Sequence, residues 1–139
     1  MTTATVGTEL TLPLRGDQDI AASRQLVRRL SQELGFSLVD QTKLVTATSE
    51  LARNTVKYGG GGEMRAELVR RDKLAGLKVT FVDQGPGIPD VEQAMIDGWS
   101  TGSGLGLGLS GAKRLVNDFE IETRVGEGTR VTITRWRAP

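Results

Sequence analysis

The sequence contains neither cysteine nor histidine among its 139 residues. The first absence excludes disulfides and thiolate metal sites, and the second excludes His-ligated zinc, His-dependent triads and a phosphohistidine on this chain. No apolar run reaches membrane-spanning length, and the N-terminal stretch lacks the regions of a signal peptide. A net charge of +1 without a basic block gives no argument for nucleic acid. We therefore expect a cytoplasmic protein with no membrane or nucleic-acid partner.

Glycine is the abundant residue, with 18 glycines against four prolines. The glycines cluster at residues 59–62, 85–87, 98–111 and 126–128, which indicates a few functional loops rather than general flexibility. The length predicts one domain covering residues 1–139, in which we expect residues 1–8 to be disordered.

Apolar periodicity predicts alternating groups of helices and strands. Strands are expected at about 10–14, 63–71, 77–82, 119–124 and 129–136, and helices at about 17–34, 39–58, 90–97 and 107–117. Pro13 places the first strand at a sheet edge, and Asp17 or Asp19 is expected to cap the first helix. This pattern favours one α+β domain with helices packed on a mixed sheet.

The second predicted helix carries a polar stripe. Glu50, Asn54 and Lys57 are spaced i, i+4, i+7 and therefore share one side of the helix, opposite its apolar face. Taken alone, the trio is also what an ordinary solvated helix face would show.

The glycine-rich run STGSGLGLGLSGAKRL, residues 100–115, precedes a predicted helix and suits phosphate binding. It contains G-x-G-x-x-G, but no strand precedes it as a Rossmann site requires, and Gly111 is not followed by the Lys-Ser/Thr of a Walker A loop. An ordinary protein kinase needs an H-R-D loop, which a chain without histidine lacks. In isolation the run is also compatible with a flexible hinge.

Four motifs in order are more specific than any one of them. Glu50-x-x-x-Asn54 on a helix is followed by Asp83-x-Gly85-x-Gly87, by Gly104-x-Gly106-x-Gly108 and by Gly126-x-Gly128-Thr129. This series resembles the N, G1, G2 and G3 boxes of the GHKL ATPase superfamily. The resemblance implies the Bergerat ATP-binding fold, a two-layer α/β sandwich of the α+β class with a mixed sheet, helices on one face and an ATP lid. The sequence around these motifs is most similar to that of the small RsbT-type switch kinases of stressosomes, with the RsbW and SpoIIAB-type anti-sigma kinases as near relatives.

The resemblance implies ATP and Mg²⁺ as cofactors and gives roles to individual residues. Glu50 would act as general base and Lys57 would neutralise a phosphate, while Asn54 would hold the metal. Asp83 would bind adenine together with Thr129, although a strand-end aspartate is also a common turn former. The other expected nucleotide contacts are Gly85, Gly87, Ile88, Thr101, Gly102, Ser103, Gly104, Leu105, Gly106, Leu107 and Gly108.

The resemblance also implies partners. A small STAS-domain protein would be the substrate, and the regulatory domain of a PP2C-type phosphatase would be the partner activated after release. Arg24 and Trp99 are candidate partner contacts, but Trp99 is equally compatible with a core anchor and Arg24 with an exposed arginine that has no such role. Two alternatives stay open: an anti-sigma kinase that binds a sigma factor, and an ATP-gated binding module without significant transfer.

Overall fold

A computed structural model describes residues 3–7, 9–96 and 108–137. The elements in these ranges are β1 (Ala4–Thr5), β2 (Leu10–Leu14), α1 (Asp17–Glu33), α2 (Leu38–Lys57), β3 (Gly62–Arg71), β4 (Leu74–Asp83), α3 (Val91–Ala94), α4 (Leu109–Arg114), β5 (Asp118–Arg124) and β6 (Gly128–Trp136). They form a sheet in the order β1-β3-β4-β6-β5, with β2 paired beside β1 on the outer edge of β3. The two-layer α/β architecture is confirmed. The expected ATP lid falls on residues outside the described ranges.

Every strand pairing in the described ranges is antiparallel, which corrects the expectation of a mixed sheet. The connections between neighbouring strands explain this arrangement. Two helices, α1 and α2, lie between β2 and β3, so the chain returns to the end of the sheet that it left. Hairpins then join β3 to β4 and β5 to β6.

The core lies between the sheet and the two long helices. One face of the sheet is apolar because alternate residues of each strand point to it. Val79 and Phe81 of β4 lie opposite Ile133 and Val131 of β6, and all four are buried. The predicted apolar side of α2 covers them, with these buried positions: Leu44, Val45, Ala47, Thr48, Leu51, Ala52 and Thr55. This packing turns the opposite, polar side of α2 away from the sheet.

A side-chain cap sets the start of α2 but not the start of α1. Ser37 caps α2, where its side chain accepts a hydrogen bond from the backbone N–H of Asp40 at 3.1 Å. The cap predicted for α1 at Asp17 or Asp19 is wrong, because Gly16 is the N-cap and makes no side-chain bond. Both aspartates lie inside the first turn, and Asp19 accepts the backbone N–H of Arg15 at 2.7 Å.

Part of the N-terminal segment that was expected to be disordered, residues 3–7, is described and contains a short strand. Ala4 and Thr5 form β1 opposite Arg70 and Val69. The pairing is available because β2 covers only the first half of β3 and leaves backbone groups of its second half for another strand. Among residues 3–7, 9–96 and 108–137, no helix has the length and apolar character needed to cross a bilayer.

Candidate functional site

Three polar residues form a row across the sheet where β4 ends. In the register of the strands, Asp83 of β4 lies opposite Thr129 of β6, and Thr129 lies opposite Thr123 of β5. The three side chains share the face that the helices cover, since Phe81 and Val131, two residues away, point into the core. The row therefore brings an acid and two hydroxyls to the rim of the core.

Asp83 is a buried carboxylate, with only 8% of the residue exposed. Burial raises its pKa above the ordinary value of 3.8, while backbone hydrogen bonds from Gly85 and Thr129 act in the opposite direction. The Gly85 N–H donates to Oδ1 at 2.9 Å. A carboxylate accepts about four hydrogen bonds, so two backbone donors leave it capacity for a ligand donor such as an amine.

Glycine backbone surrounds this carboxylate. A Cβ atom on Gly59 would lie 2.5 Å from Asp83 Oδ2, and one on Gly85 would lie 2.7 Å from the Cα of Gly59. A Cβ on Gly128 would collide with the backbone carbonyl oxygen of Asp83. The three glycines thus allow the end of α2, the turn after β4 and the start of β6 to meet around one side chain.

The turn after Asp83 is tied to two other elements. The Tyr58 hydroxyl, at the end of α2, donates to the Gly87 carbonyl at 2.7 Å, and the backbone N–H of Ile88 donates to the Thr123 hydroxyl at 2.9 Å. Gly87 has φ +76, and a Cβ there would collide with the carbonyl oxygen of Arg124. The Asp-x-Gly-x-Gly pattern therefore serves a turn that only glycine fits.

The predicted polar stripe on α2 does not face a single neighbour: Glu50 faces the beginning of α4 and Lys57 faces α1. Glu50 and Asn54 are half-buried, whereas Lys57 is exposed. Gly108, with φ +62, is the N-cap of α4, and a Cβ on it would lie 2.6 Å from Glu50 Oε2. The Nζ of Lys57 lies 2.8 Å from Oδ1 of Asp17 on α1.

A cavity of about 20 Å³ lies between α2, the end of β4 and the start of β6. It brings together four predicted nucleotide contacts, Asn54, Asp83, Ile88 and Thr129. Its other lining residues are Leu51, Thr55, Tyr58, Phe81, Leu109 and Val131. An open groove of about 720 Å³ shares Asp83 and Thr129 with it. The smaller cavity is the candidate site, because residues from α2, β4 and β6 line it together.

The remaining predicted contacts divide into two groups. Arg24 lies elsewhere, in a groove shared with Arg53 and Lys57, where its Nη1 donates to the Ser49 hydroxyl at 3.1 Å. Eight others lie outside the described residues: Trp99, Thr101, Gly102, Ser103, Gly104, Leu105, Gly106 and Leu107.

Sequence reasoning missed Tyr58, Gly59 and Thr123. The first two follow the Glu50–Asn54 stripe directly, and a glycine at the end of a helix signalled only termination. The signal for Thr123 was its position in the terminal hairpin. Thr123 and Thr129 lie equally far in sequence from the turn at Gly126, and the strand register therefore places them opposite each other.

The residues present suit an adenine nucleotide with a magnesium ion. A buried carboxylate with spare acceptor capacity matches the exocyclic amine of adenine, and glycine backbone packs closely around it. In the described part of the chain, no three acidic residues gather as a metal cage. A single amide oxygen, as Asn54 offers, fits Mg²⁺, which is commonly held by one or two protein ligands together with phosphates and water.

Comparison with known proteins points in the same direction. Residues 39–139 match the family described as histidine kinase-, DNA gyrase B- and HSP90-like ATPases. The serine/threonine-protein kinase RsbT of Bacillus subtilis is 49% identical over 118 residues, which cover 85% of this chain and 89% of that protein. An anti-sigma F factor of a Thermoanaerobacter species is 25% identical over 128 residues, covering 88% of this chain and 89% of that protein.

Solved structures show the same fold. A crystal structure of the RsbU and RsbW domains of a Mycobacterium tuberculosis protein superposes with a TM-score of 0.64 at 22% identity, covering 96% of this chain and 34% of that one. This chain thus spans about a third of that protein's chain. The catalytic domain of the histidine kinase ThkA superposes with a TM-score of 0.52 at 16% identity, covering 94% and 95% of the two chains.

Proposed function

Because this chain belongs to the family of histidine kinase-, DNA gyrase B- and HSP90-like ATPases, we propose that it uses ATP and Mg²⁺ to phosphorylate a STAS-domain protein. The chain is a serine/threonine-protein kinase, like its relative of 49% identity. The observation that carries the proposal is the convergence of Asn54, Asp83, Ile88 and Thr129 on one cavity.

Asp83 and Thr129 would bind the base. The carboxylate accepts the exocyclic amine of adenine, and the Thr129 hydroxyl lies beside it in the register of the sheet. The amide oxygen of Asn54, on α2, would hold Mg²⁺. The bound metal supplies positive charge that stabilises the transferring phosphoryl group.

Glu50 would act as the general base. It lies one helical turn before Asn54 and packs against the Cα of Gly108. In the transfer, the hydroxyl oxygen of the substrate serine or threonine forms a bond to the γ-phosphorus, and the bond between that phosphorus and the β,γ-bridging oxygen breaks. The hydroxyl proton goes to the Glu50 carboxylate, and ADP leaves.

The substrate class is the finer part of the proposal. A relative of 49% identity and the anti-sigma factors favour a small STAS-domain substrate in sigma-factor regulation. Phosphorylation adds negative charge to the substrate's docking surface and would release the kinase. The released kinase would then bind the regulatory domain of a PP2C-type phosphatase.

The test is transfer of label from γ-labelled ATP and Mg²⁺ to the STAS protein encoded nearest this gene. Glu50→Gln should lower the transfer rate by about 10²-fold or more, the usual contribution of a general base, and leave ATP affinity near that of the wild type. Glu120→Gln, on the exposed face of β5, is the matched control and should transfer normally. Asn54→Ala should weaken ATP binding only when Mg²⁺ is present.

Two results would redirect the assignment. A wild-type chain that binds ATP and the STAS protein tightly without transfer would be an ATP-gated binding module. Tight, nucleotide-dependent binding to a sigma factor, with no binding to the phosphatase regulatory domain, would make it an anti-sigma kinase.

A further inference from the structure

We propose that Thr123 is a positioning residue of the nucleotide site: its hydroxyl orients Thr129 and anchors the turn after Asp83, and so contributes to selection of adenine. The inference rests on the proposed role of Asp83 and Thr129 in binding the base. Thr123 lines the open groove that contains Asp83 and Thr129, but it does not line the smaller cavity that those two residues share.

One hydroxyl group makes contacts with two separate walls of the site. Thr123 Oγ1 lies 2.8 Å from Thr129 Oγ1, on β6. The same oxygen accepts the backbone N–H of Ile88 at 2.9 Å, from the turn after β4. It also lies 3.1 Å from the carbonyl oxygen of Gly128, to which it can donate. The hydroxyl therefore fixes the distance between the turn and the strand that enclose the base.

The same geometry controls the direction in which Thr129 donates. A hydroxyl has one proton and accepts up to two hydrogen bonds. When Thr123 donates to Gly128, the proton of Thr129 points to Thr123, and Thr129 presents only an acceptor to a ligand. When Thr123 donates to Thr129, the proton of Thr129 is available to a ligand. Ile88 occupies an acceptor position of Thr123 in both arrangements.

Adenine favours the second arrangement. It presents an amine donor beside a ring-nitrogen acceptor. Asp83 therefore accepts a hydrogen bond from the amine, and Thr129 must donate one to the ring nitrogen. Guanine has a carbonyl oxygen in place of that amine and a protonated ring nitrogen beside it, which is the reverse pattern. A site built to form such hydrogen bonds rejects a ligand that leaves its buried polar groups unpaired. In the second arrangement Thr123 donates to Thr129 and directs the Thr129 proton towards the ligand, and in this way it contributes to discrimination.

The test measures the affinity of the wild-type chain and its variants for ATP and for GTP, each with Mg²⁺. Thr123→Val keeps the shape but removes the hydroxyl, and we expect ATP affinity to fall roughly tenfold, the effect of a lost buried hydrogen bond with an orphaned N–H. GTP affinity should change less, so the ATP/GTP ratio should fall. Thr123→Ser restores the hydroxyl and should bind ATP within about twofold of the wild type. Thr132→Val, on the opposite face of the same hairpin, is the control and should change neither affinity.

A double-mutant cycle separates positioning from general stability. Thr123 acts through Thr129 in this proposal, so the effects of Thr123→Val and Thr129→Val on ATP affinity should be strongly non-additive. Additive effects, or an equal loss of ATP and GTP affinity, would overturn it. Thr123→Ala gives the same comparison if the valine variant does not fold, as judged by its thermal transition.

Failure of the proposed function gives a different result. If Asp83→Asn and Thr129→Val both leave ATP affinity unchanged, the base lies elsewhere and the assignment of the site itself fails. If those two variants weaken ATP binding while Thr123→Val does not, only the role of Thr123 is wrong.

Discussion

Gly59, directly after α2, packs against the side chain of Asp83 at the end of β4, so that a Cβ on Gly59 would lie 2.5 Å from Asp83 Oδ2. The Gly59 N–H also donates to the carbonyl oxygen of Asn54 at 2.9 Å. One residue without a side chain thus sets how closely the helix that carries Asn54 approaches the acid on the sheet. This contact fixes the relative position of the proposed metal ligand and the proposed base-binding residue.

Gly59→Ala should therefore damage the site more than the fold. The added methyl group displaces Asp83 or α2, and overpacking of this kind costs about 1–3 kcal/mol of unfolding free energy. We expect ATP affinity to fall by at least about tenfold, since each 1.4 kcal/mol of lost binding energy is a factor of ten. Gly111→Ala is the control, because a Cβ there meets nothing within 4 Å. Unchanged ATP affinity in Gly59→Ala with normal folding would contradict this role.

The raised pKa of Asp83 gives two pH dependences of opposite sign. Its ordinary value is 3.8, and burial raises it in the folded state. The contribution of this group to stability is fully present below the unfolded pKa and is lost as pH rises through the folded pKa. ATP binding needs the ionised carboxylate as an acceptor, so affinity should instead increase over that same window. Urea unfolding and ATP titrations between pH 4 and 7 measure the two curves.

Asp83→Asn is the reference for both curves, because it keeps the shape and removes the titration. The difference between the wild type and this variant isolates Asp83 from phosphate groups and other carboxylates that titrate nearby. We expect the difference in stability to decrease with pH and the difference in affinity to increase. Two differences that do not vary with pH would show that Asp83 does not titrate in this range.

Arg135, on β6, binds the start of α2 and the end of α4 and so holds both helices against the sheet. Its Nη2 donates to Asp40 Oδ1 at 2.6 Å, in the first turn of α2, and its Nη1 donates to the carbonyl oxygen of Leu115 at 2.8 Å, at the end of α4. The side chains of Asp40 and Arg135 are each only 14% exposed. The hydrogen bond from Arg135 holds the pKa of Asp40 below its usual range.

Asp40→Asn should lower the unfolding free energy at pH 7 by about 3 kcal/mol, as breaking one side of a buried ion pair does. The wild-type contribution is present above the unfolded pKa of about 3.9 and is lost as pH falls through the lower folded pKa. The difference between the two proteins should therefore shrink below about pH 4. Glu33→Gln, in the exposed pair with Arg29, should change stability by less than about 0.5 kcal/mol. Equal effects of the two substitutions would refute this role of Arg135.

Elements with a strong local signal could be predicted from the sequence. The apolar side of α2 and the edge position of β2 follow from periodicity and Pro13, and both are confirmed. Asp83 and Thr129 were matched by motif, and the structure brings them together because β4 and β6 pair in register. At Asp83 and Thr129 the sequence motifs and the pairing of β4 with β6 therefore lead to the same site.

The rest depends on contacts between distant segments. The strand at Ala4–Thr5 has no pattern of its own and forms because β3 extends beyond β2. The antiparallel sheet depends on which strands become neighbours, and the packing of Gly59 on Asp83 depends on where α2 meets β4. The position of the Lys57 ammonium was equally unpredictable, because its partner Asp17 lies 40 residues earlier on another helix.

The Lys57–Asp17 pair makes a last prediction. The two side chains are 54% and 79% exposed, so the pair contributes little to the fold, although the hydrogen bond from Lys57 lowers the pKa of Asp17. Its effect on nucleotide binding should be larger, since Asp17 holds the ammonium that is proposed to neutralise a phosphate. We expect Asp17→Asn to leave the urea midpoint nearly unchanged and to raise ATP affinity roughly threefold at low salt, with the gain lost near 1 M salt, where charges are screened within about 3 Å.

Asp19→Asn is the charge-matched control for Asp17→Asn. Asp19 lies on the same helix, but its carboxylate accepts the backbone N–H of Arg15. The mechanism requires that Asp17 act through Lys57, so the gain should disappear when Asp17→Asn is made in a Lys57→Met background. Persistence of the gain in that background, or an equal gain in Asp19→Asn, would mean that Asp17 acts by long-range repulsion of the phosphates, and the proposed role of Lys57 would lose its support.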